Sequence, residues 1–158
     1  MFVLKPLHIA SALSFTLPHD GPDGIYSTKA LRAFIDGLDT AISEHGANPV
    51  GPLIMRTSLE YTTDGDKELL TTYIKQTDIY IKNAKEPYKP IENISIPNCL
   101  YFEYTGTDTG LISKHLETHS LAKEEGYSLA DDTYTIFTSK NSKGDIITEV
   151  FIPILPEQ

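Results

Sequence analysis

Near the C-terminus, Thr148-Glu149-Val150-Phe151-Ile152-Pro153-Ile154 places a carboxylate inside a run that otherwise alternates like a strand. On one face fall Ile146, Val150 and Ile152; on the other fall Ile147, Glu149 and Phe151. A glutamate between apolar neighbours on one strand face is costly to bury without a partner. That face is therefore wet, or it lines a cavity in which the charge has a use. The uses open to such a carboxylate are counter-charge for a cation and general base. The chain has nine tyrosines and no tryptophan. Tyr61, Tyr73, Tyr101, Tyr104 and Tyr134 all fall on segments that read as strands. A carboxylate among tyrosines offers an aromatic cation both charge pairing and cation–π contact. Alternation alone leaves open which tyrosines share a face with Glu149.

Other residues with chemical potential lack a complete setting. His115-Leu116-Glu117-Thr118-His119 puts two imidazoles four residues apart on one helix face, a metal-ligand spacing. The glutamate is misplaced for a zincin, however, and no third ligand is near in sequence. Both histidines fall on the stripe expected to pack against a sheet, so packing is their expected role. Ser11 and Ser14 lack a nucleophile elbow. Cys99 has no basic neighbour, and as the single cysteine it excludes an intrachain disulfide. Gly21-Pro22-Asp23-Gly24 is a turn and not a phosphate loop. The pairs Asp64/Asp66 and Asp131/Asp132 lack calcium-loop spacing. No metal or cofactor is expected.

The elements that must position these residues follow from periodicity and punctuation. Residues 7–17 alternate as a first strand, followed by a turn-rich loop from Pro18 to Gly24. Ser27 is placed to cap a helix running to about His45, with Leu31, Phe34, Ile35, Leu38 and Ile42 as its stripe and Gly46 as its stop. Strands follow at 53–61 and 68–76 around Asp64-Gly65-Asp66, with Ile79-Tyr80-Ile81 as an extension. Residues 83–98, rich in Lys and Pro, read as a connector. Then come a strand from Cys99 to Thr105 and a helix from Asp108, as cap, to about Glu125. The stripe of that helix is Ile112, His115, Leu116, His119 and Ala122, and Gly126 ends it. Strands at 132–138 and 146–154 flank the turn Asn141-Ser142-Lys143-Gly144.

Strand–helix–strand–strand thus occurs twice, in 1–82 and 99–158. Gly46 and Gly126 stand 80 residues apart; Leu69, Tyr73 and Ile74 align with Ile147, Phe151 and Ile152 at an offset of 78. This predicts one α+β domain of duplicated β-α-β-β units, an antiparallel sheet with two helices on one face, pseudo-two-fold, with a groove at the junction of the halves. A net charge of −9 opposes nucleic-acid binding. No apolar run is long enough to span a bilayer, and the short run after Lys5 lacks a small-x-small cleavage site. A cytoplasmic protein is expected.

This layout resembles the GyrI-like small-molecule-binding family, which includes the effector-binding domains of bacterial multidrug-responsive regulators. The features that carry the resemblance are the Glu149-x-Phe151-x-Pro153 ending, Leu100-Tyr101-Phe102-Glu103-Tyr104-Thr105-Gly106 leading into the second helix, and Gly51-Pro52. The resemblance implies that Glu149 faces a groove walled by aromatics and contacts cationic or polar ligands. It also implies that some stand-alone members are hydrolases; here Glu149 would act as base, assisted by Tyr104 or Tyr134. The regulators carry a DNA-binding segment ahead of this domain, whereas the domain here begins at Met1, so a stand-alone domain is expected. Thr105-Gly106-Thr107-Asp108 departs from the family's Gly-Pro-Tyr wording. The chain also resembles small proteins of low-GC Gram-positive bacteria encoded near secreted-toxin loci, which implies a protein-interaction or accessory role. The expected partner is a small molecule bound by Glu149, Phe151, Tyr101, Tyr104, Tyr134, Tyr61 and Tyr73. A protein partner and a homodimer stand as alternatives.

Overall fold

The computed structural model describes residues 2–18, 28–61, 65, 67–140 and 142–156. Its elements are β1 (Val3–Ile9), β2 (Ala12–Pro18), α1 (Thr28–Glu44), β3 (Pro49–Tyr61), β4 (Lys67–Thr77), β5 (Lys89–Ile91), β6 (Ile94–Gly106), α2 (Asp108–Glu124), β7 (Thr133–Lys140) and β8 (Ile146–Pro153). All eight strands join one antiparallel sheet in the order β1-β6-β8-β7-β3-β4-β2-β5. This is an α+β fold.

The short links dictate the curl. Two residues, Ala10 and Ser11, join β1 to β2, yet these strands stand first and seventh in the sheet. Two residues, Glu92 and Asn93, likewise join β5 to β6, which stand last and second. Links this short bring opposite edges together only if the sheet bends round on itself. Leu7 and Ile9 of β1 and Ala12 of β2 accordingly share one buried cluster with Ile54, Ile74, Cys99, Tyr101, Tyr134 and Phe151. That cluster fills the concave face.

The helices cover the opposite face. Under α1 lie Leu13, Phe15 and Tyr73 against Leu38, Ala41 and Ile42. Under α2 lie Leu100, Val150 and Ile152 against Ala122. Helix α1 ends as expected: Gly46 adopts φ 77°, and the Ala47 N–H bonds back to the Ile42 carbonyl at 3.2 Å. Its expected cap, Ser27, lies outside the described residues, as do Pro22, Asp64 and Asp66 in the turns.

Several expectations need correction. The first strand, read at 7–17, is two strands bent at Ser11, whose hydroxyl donates to the Thr77 carbonyl at 3.0 Å. The connector is not structureless. It contributes β5 and the start of β6, because Ile91, Ile94 and Ile96 pack on the concave cluster, Pro90 sits on edge strand β5, and Pro97 falls at the bulge in the β1–β6 pairing. Ile79-Tyr80-Ile81 does not extend β4; the Thr77 hydroxyl turns onto the Ile79 carbonyl at 2.7 Å. The cap of α2 is Thr107, one residue before Asp108, and its hydroxyl accepts from the Gly110 N–H at 3.1 Å. Helix α2 is also rotated from the expected stripe. Ile112 and Leu116 are 63% and 64% exposed, while Thr118 and Ala122 are buried. Thr118 tolerates burial because its hydroxyl donates to the Lys114 carbonyl at 2.7 Å.

Read inward from one edge, the strand order is β1-β6-β8-β7; from the other it is β5-β2-β4-β3. The offset of 78 does not hold residue by residue: Tyr73 lies under α1 whereas Phe151 lies on the concave face. A slip of one residue exchanges the two faces of a strand. Among the described residues no helix is long and apolar enough to cross a membrane.

Candidate functional site

Alternation along β6 and β8 sends Tyr101, Glu103, Glu149 and Phe151 to the concave face. Antiparallel register then sets them in two rows. Tyr101 pairs with Phe151, Phe151 with Tyr134, and Tyr134 with Arg56. In the next row Glu103 pairs with Glu149, and Glu149 with Ile136. Two glutamates thus stand directly opposite each other on neighbouring strands, an arrangement that costs stability unless something joins them. The joining group is the Tyr101 hydroxyl, 2.9 Å from Glu103 Oε1 and 2.7 Å from Glu149 Oε1.

One phenolic hydrogen serves two carboxylates. Burial, then the hydrogen bonds to Glu149 and Glu103, push the Tyr101 hydroxyl well above the usual phenol range, so it remains a donor at every ordinary pH. Tyr101 and Phe151 are buried, with ring centroids 5.0 Å apart. Glu149 is half-buried and Glu103 exposed. The pair therefore sits at the mouth of the concave face, above an aromatic floor. The Lys5 ammonium, from edge strand β1, stands 3.9 Å from the Tyr101 ring centroid.

At the other end of the aromatic row, Arg56 and Asp132 form an ion pair at 2.6 Å beside Tyr134. Burial raises the Tyr134 phenol. Arg56 Nε is buried without a hydrogen-bond partner among the described residues.

Of the residues singled out in the sequence, Glu149, Phe151, Tyr101 and Tyr134 share the concave face. Tyr104 and Tyr73 do not join them. Tyr104 pairs with the buried Thr148 on the α2 side, and its hydroxyl donates to the Thr107 carbonyl at 2.8 Å. It packs so closely on Gly110 and Gly106 that a side chain at either would collide with it. Tyr73 stacks on Phe15 beneath α1 at 5.4 Å. The Tyr61 side chain lies outside the described residues. The glutamates lie on β6 and β8, and strands of the two halves meet at the β3–β7 pair and, beside β6, at the β1–β6 pair. Glu103, Lys5 and Arg56 escaped the sequence reading. Glu103 had a signal, its i+2 spacing from Tyr101; Lys5 and Arg56 had none.

The other candidates are structural. His115 and His119 lie with ring centroids 4.5 Å apart, and His115 Nε2 reaches the Thr133 hydroxyl at 3.5 Å. Burial, then the neighbouring His119, pushes His115 down to about 4. Among the described residues no group of three His, Cys, Asp or Glu is arranged to hold a metal ion. Cys99 is fully buried, and burial pushes its thiol up to about 11. A concavity of about 440 Å³ at the end of α2, lined by His119, Ser120, Lys123, Tyr127, Ser128 and Leu129, is separate from the glutamates.

No family model and no curated protein matches the sequence. Solved structures do match its fold. The EcmrR C-terminal domain aligns with a TM-score of 0.64 at 12% identity, covering 99% of both chains. EcmrR in its complex with DNA aligns at 0.66 and 12% identity over 99% of this chain, which spans 58% of that longer one. A hydrolase from Listeria innocua aligns at 0.58 and 17% identity, over 96% of this chain and 92% of its own. These likenesses show that the chain shares the fold of the EcmrR C-terminal domain and of the Listeria innocua hydrolase.

Proposed function

We propose that the protein binds a small organic cation, aromatic ones above all, at the mouth of its concave face, and acts by sensing or sequestering it. The observation that carries this reading is the Tyr101 hydroxyl held between Glu103 and Glu149. A single neutral donor leaves two carboxylates short of positive charge, directly above aromatic rings. A cation there gains charge pairing from Glu149 and Glu103 and cation–π attraction from Tyr101 and Phe151. Tyr134 extends the wall toward Arg56. The resemblance to effector-binding domains supports the same reading. Residues 1–158 form one cytoplasmic domain of two similar halves that needs no cofactor.

A thermal-shift comparison tests this. The probes are tetraphenylphosphonium and the neutral triphenylphosphine oxide, against wild type and Glu149→Gln. A ligand at a hundred times its dissociation constant adds about 2.7 kcal/mol of stability. The reading expects stabilisation by the cation alone, lost in the variant. Equal stabilisation by the neutral compound, or none by either, rejects it.

The exposed Ile112 and Leu116, one turn apart on α2, favour a second reading, a protein-interaction or accessory module for a bacterial partner. Ile112→Ser with Leu116→Ser abolishes partner capture on that reading and leaves cation binding intact on the first. We propose no hydrolytic step. The tyrosine that touches Glu149 is Tyr101, and the Tyr104 hydroxyl is bonded to the Thr107 carbonyl.

A further inference from the structure

We infer that Lys5 is the charge-selectivity determinant of this site: a tethered cation that occupies the aromatic face and that a ligand must displace. The inference rests on the cation-binding reading above. Three observations carry it. Lys5 lies on the concave side of β1, opposite Cys99 in register, and a bulge follows between the Lys5 and Leu7 pairings. Its ammonium stands 3.9 Å from the centroid of the Tyr101 ring, within cation–π range. That ring carries the hydroxyl shared by Glu103 and Glu149. The chain has thus placed one of its own cations where an aromatic floor meets two carboxylates.

The charge arithmetic sets the selectivity. Glu103 and Glu149 ionised carry −2; with Lys5 in place the site carries −1. Lys5 is exposed on an edge strand, so its flexible stem swings into solvent without disturbing the core. A monocation that replaces it preserves the site's net charge and offers a larger apolar surface to Tyr101 and Phe151. An anion or neutral molecule cannot take over its electrostatic role.

Removing Lys5 therefore has two opposed effects. Without ligand, Lys5→Met leaves the glutamates less compensated and lowers stability; Glu103→Gln in the same chain restores it. With ligand, the competitor is gone, and the affinity of tetraphenylphosphonium rises by about tenfold, an order of magnitude set by an exposed cation–π contact and one unit charge at close range. Isothermal titration of wild type, Lys5→Met and Lys5→Met/Glu103→Gln at low salt measures both the affinities and their salt dependence. Tighter binding by Lys5→Met, with the gain shrinking at high salt, supports the inference. Wild-type binding that is equalled or exceeded in weakness by Lys5→Met overturns it and leaves the cation-binding reading standing. Absence of binding in wild type and Lys5→Met alike overturns both.

Discussion

The β2–β4 pair and the β6–β8 pair hold the same places in the strand order, second and third from their edges, yet they present different chemistry to the concave face. On β2 and β4 the polar cross-strand neighbours are Thr16 and Thr72, whose hydroxyls bond each other at 2.8 Å. On β6 and β8 they are Glu103 and Glu149, joined through Tyr101. The aromatics divide in the opposite sense. In the first half, Phe15, Tyr73 and Phe34 lie together beneath α1. In the second, Tyr101, Phe151 and Tyr134 turn away from α2. The two hydroxyls satisfy each other, whereas two carboxylates cannot. The rings of both halves are buried, but those of the second pack beside two carboxylates and under the Lys5 ammonium, whereas those of the first pack on other apolar groups.

The largest effect that tests this contrast is in the packed half. Phe15→Ala removes a fully buried ring that contacts Phe34, Tyr73 and Tyr88; about 3–5 kcal/mol of stability should be lost in urea unfolding. Affinity for tetraphenylphosphonium, measured where the variant is still folded, should be unchanged. Altered affinity would mean that the two faces are not separate in function.

Next comes the shared donor. Tyr101→Phe keeps the ring but leaves Glu103 and Glu149 facing each other unbridged, at a cost of about 1–2 kcal/mol. Thr72→Val, the matching change in the other half, should cost about 0.5 kcal/mol, the low end for an exposed hydrogen bond. Equal losses would show that the carboxylate pair is no more demanding than the hydroxyl pair.

The helices differ as the sheet faces do, and acid exposes it. His115 in α2 titrates in the folded chain at about 4, below the unfolded value of about 6.5. The unfolded state therefore binds the extra proton first. The stabilising contribution is fully present above about pH 6.5 and is lost as pH falls toward 4. With screening at a partly exposed site, the loss is on the order of 1 kcal/mol. His115→Gln should flatten this part of the stability–pH curve; a curve unchanged by the substitution would assign the slope elsewhere.

The start of α2 gives a comparable or smaller effect: Thr107→Ala should cost about 1 kcal/mol through the lost cap on the Gly110 N–H. A cost within error of zero would show that Tyr104, bonded to the Thr107 carbonyl, holds the turn unaided.

The two helices, the hairpins and the sheet were legible because their signals are local: apolar periodicity, Gly46 and Gly126 as stops, turn residues between strands. Edge structure was not legible. The split at Ser11 and strand β5 depend on which distant strand each segment pairs with, which no local pattern carries. Glu149 stood out because its charge interrupts an apolar alternation. Tyr73 and Tyr104 looked equivalent to Tyr101 because face assignment needs register. Residues 73 and 151, aligned at the offset of 78, proved to lie on opposite faces. Lys5 was invisible: 96 residues of chain separate it from the ring it covers.

The most direct measurement follows the tyrosine ring resonances of the protein, labelled with ¹³C-tyrosine, during titration with tetraphenylphosphonium. Saturable shifts at Tyr101 and Tyr134, with Tyr73 and Tyr104 unmoved, are what a cation site on the concave face of the second half predicts. Shifts centred on Tyr127, beside the concavity at the end of α2, or on Tyr73 and Tyr104, would contradict it.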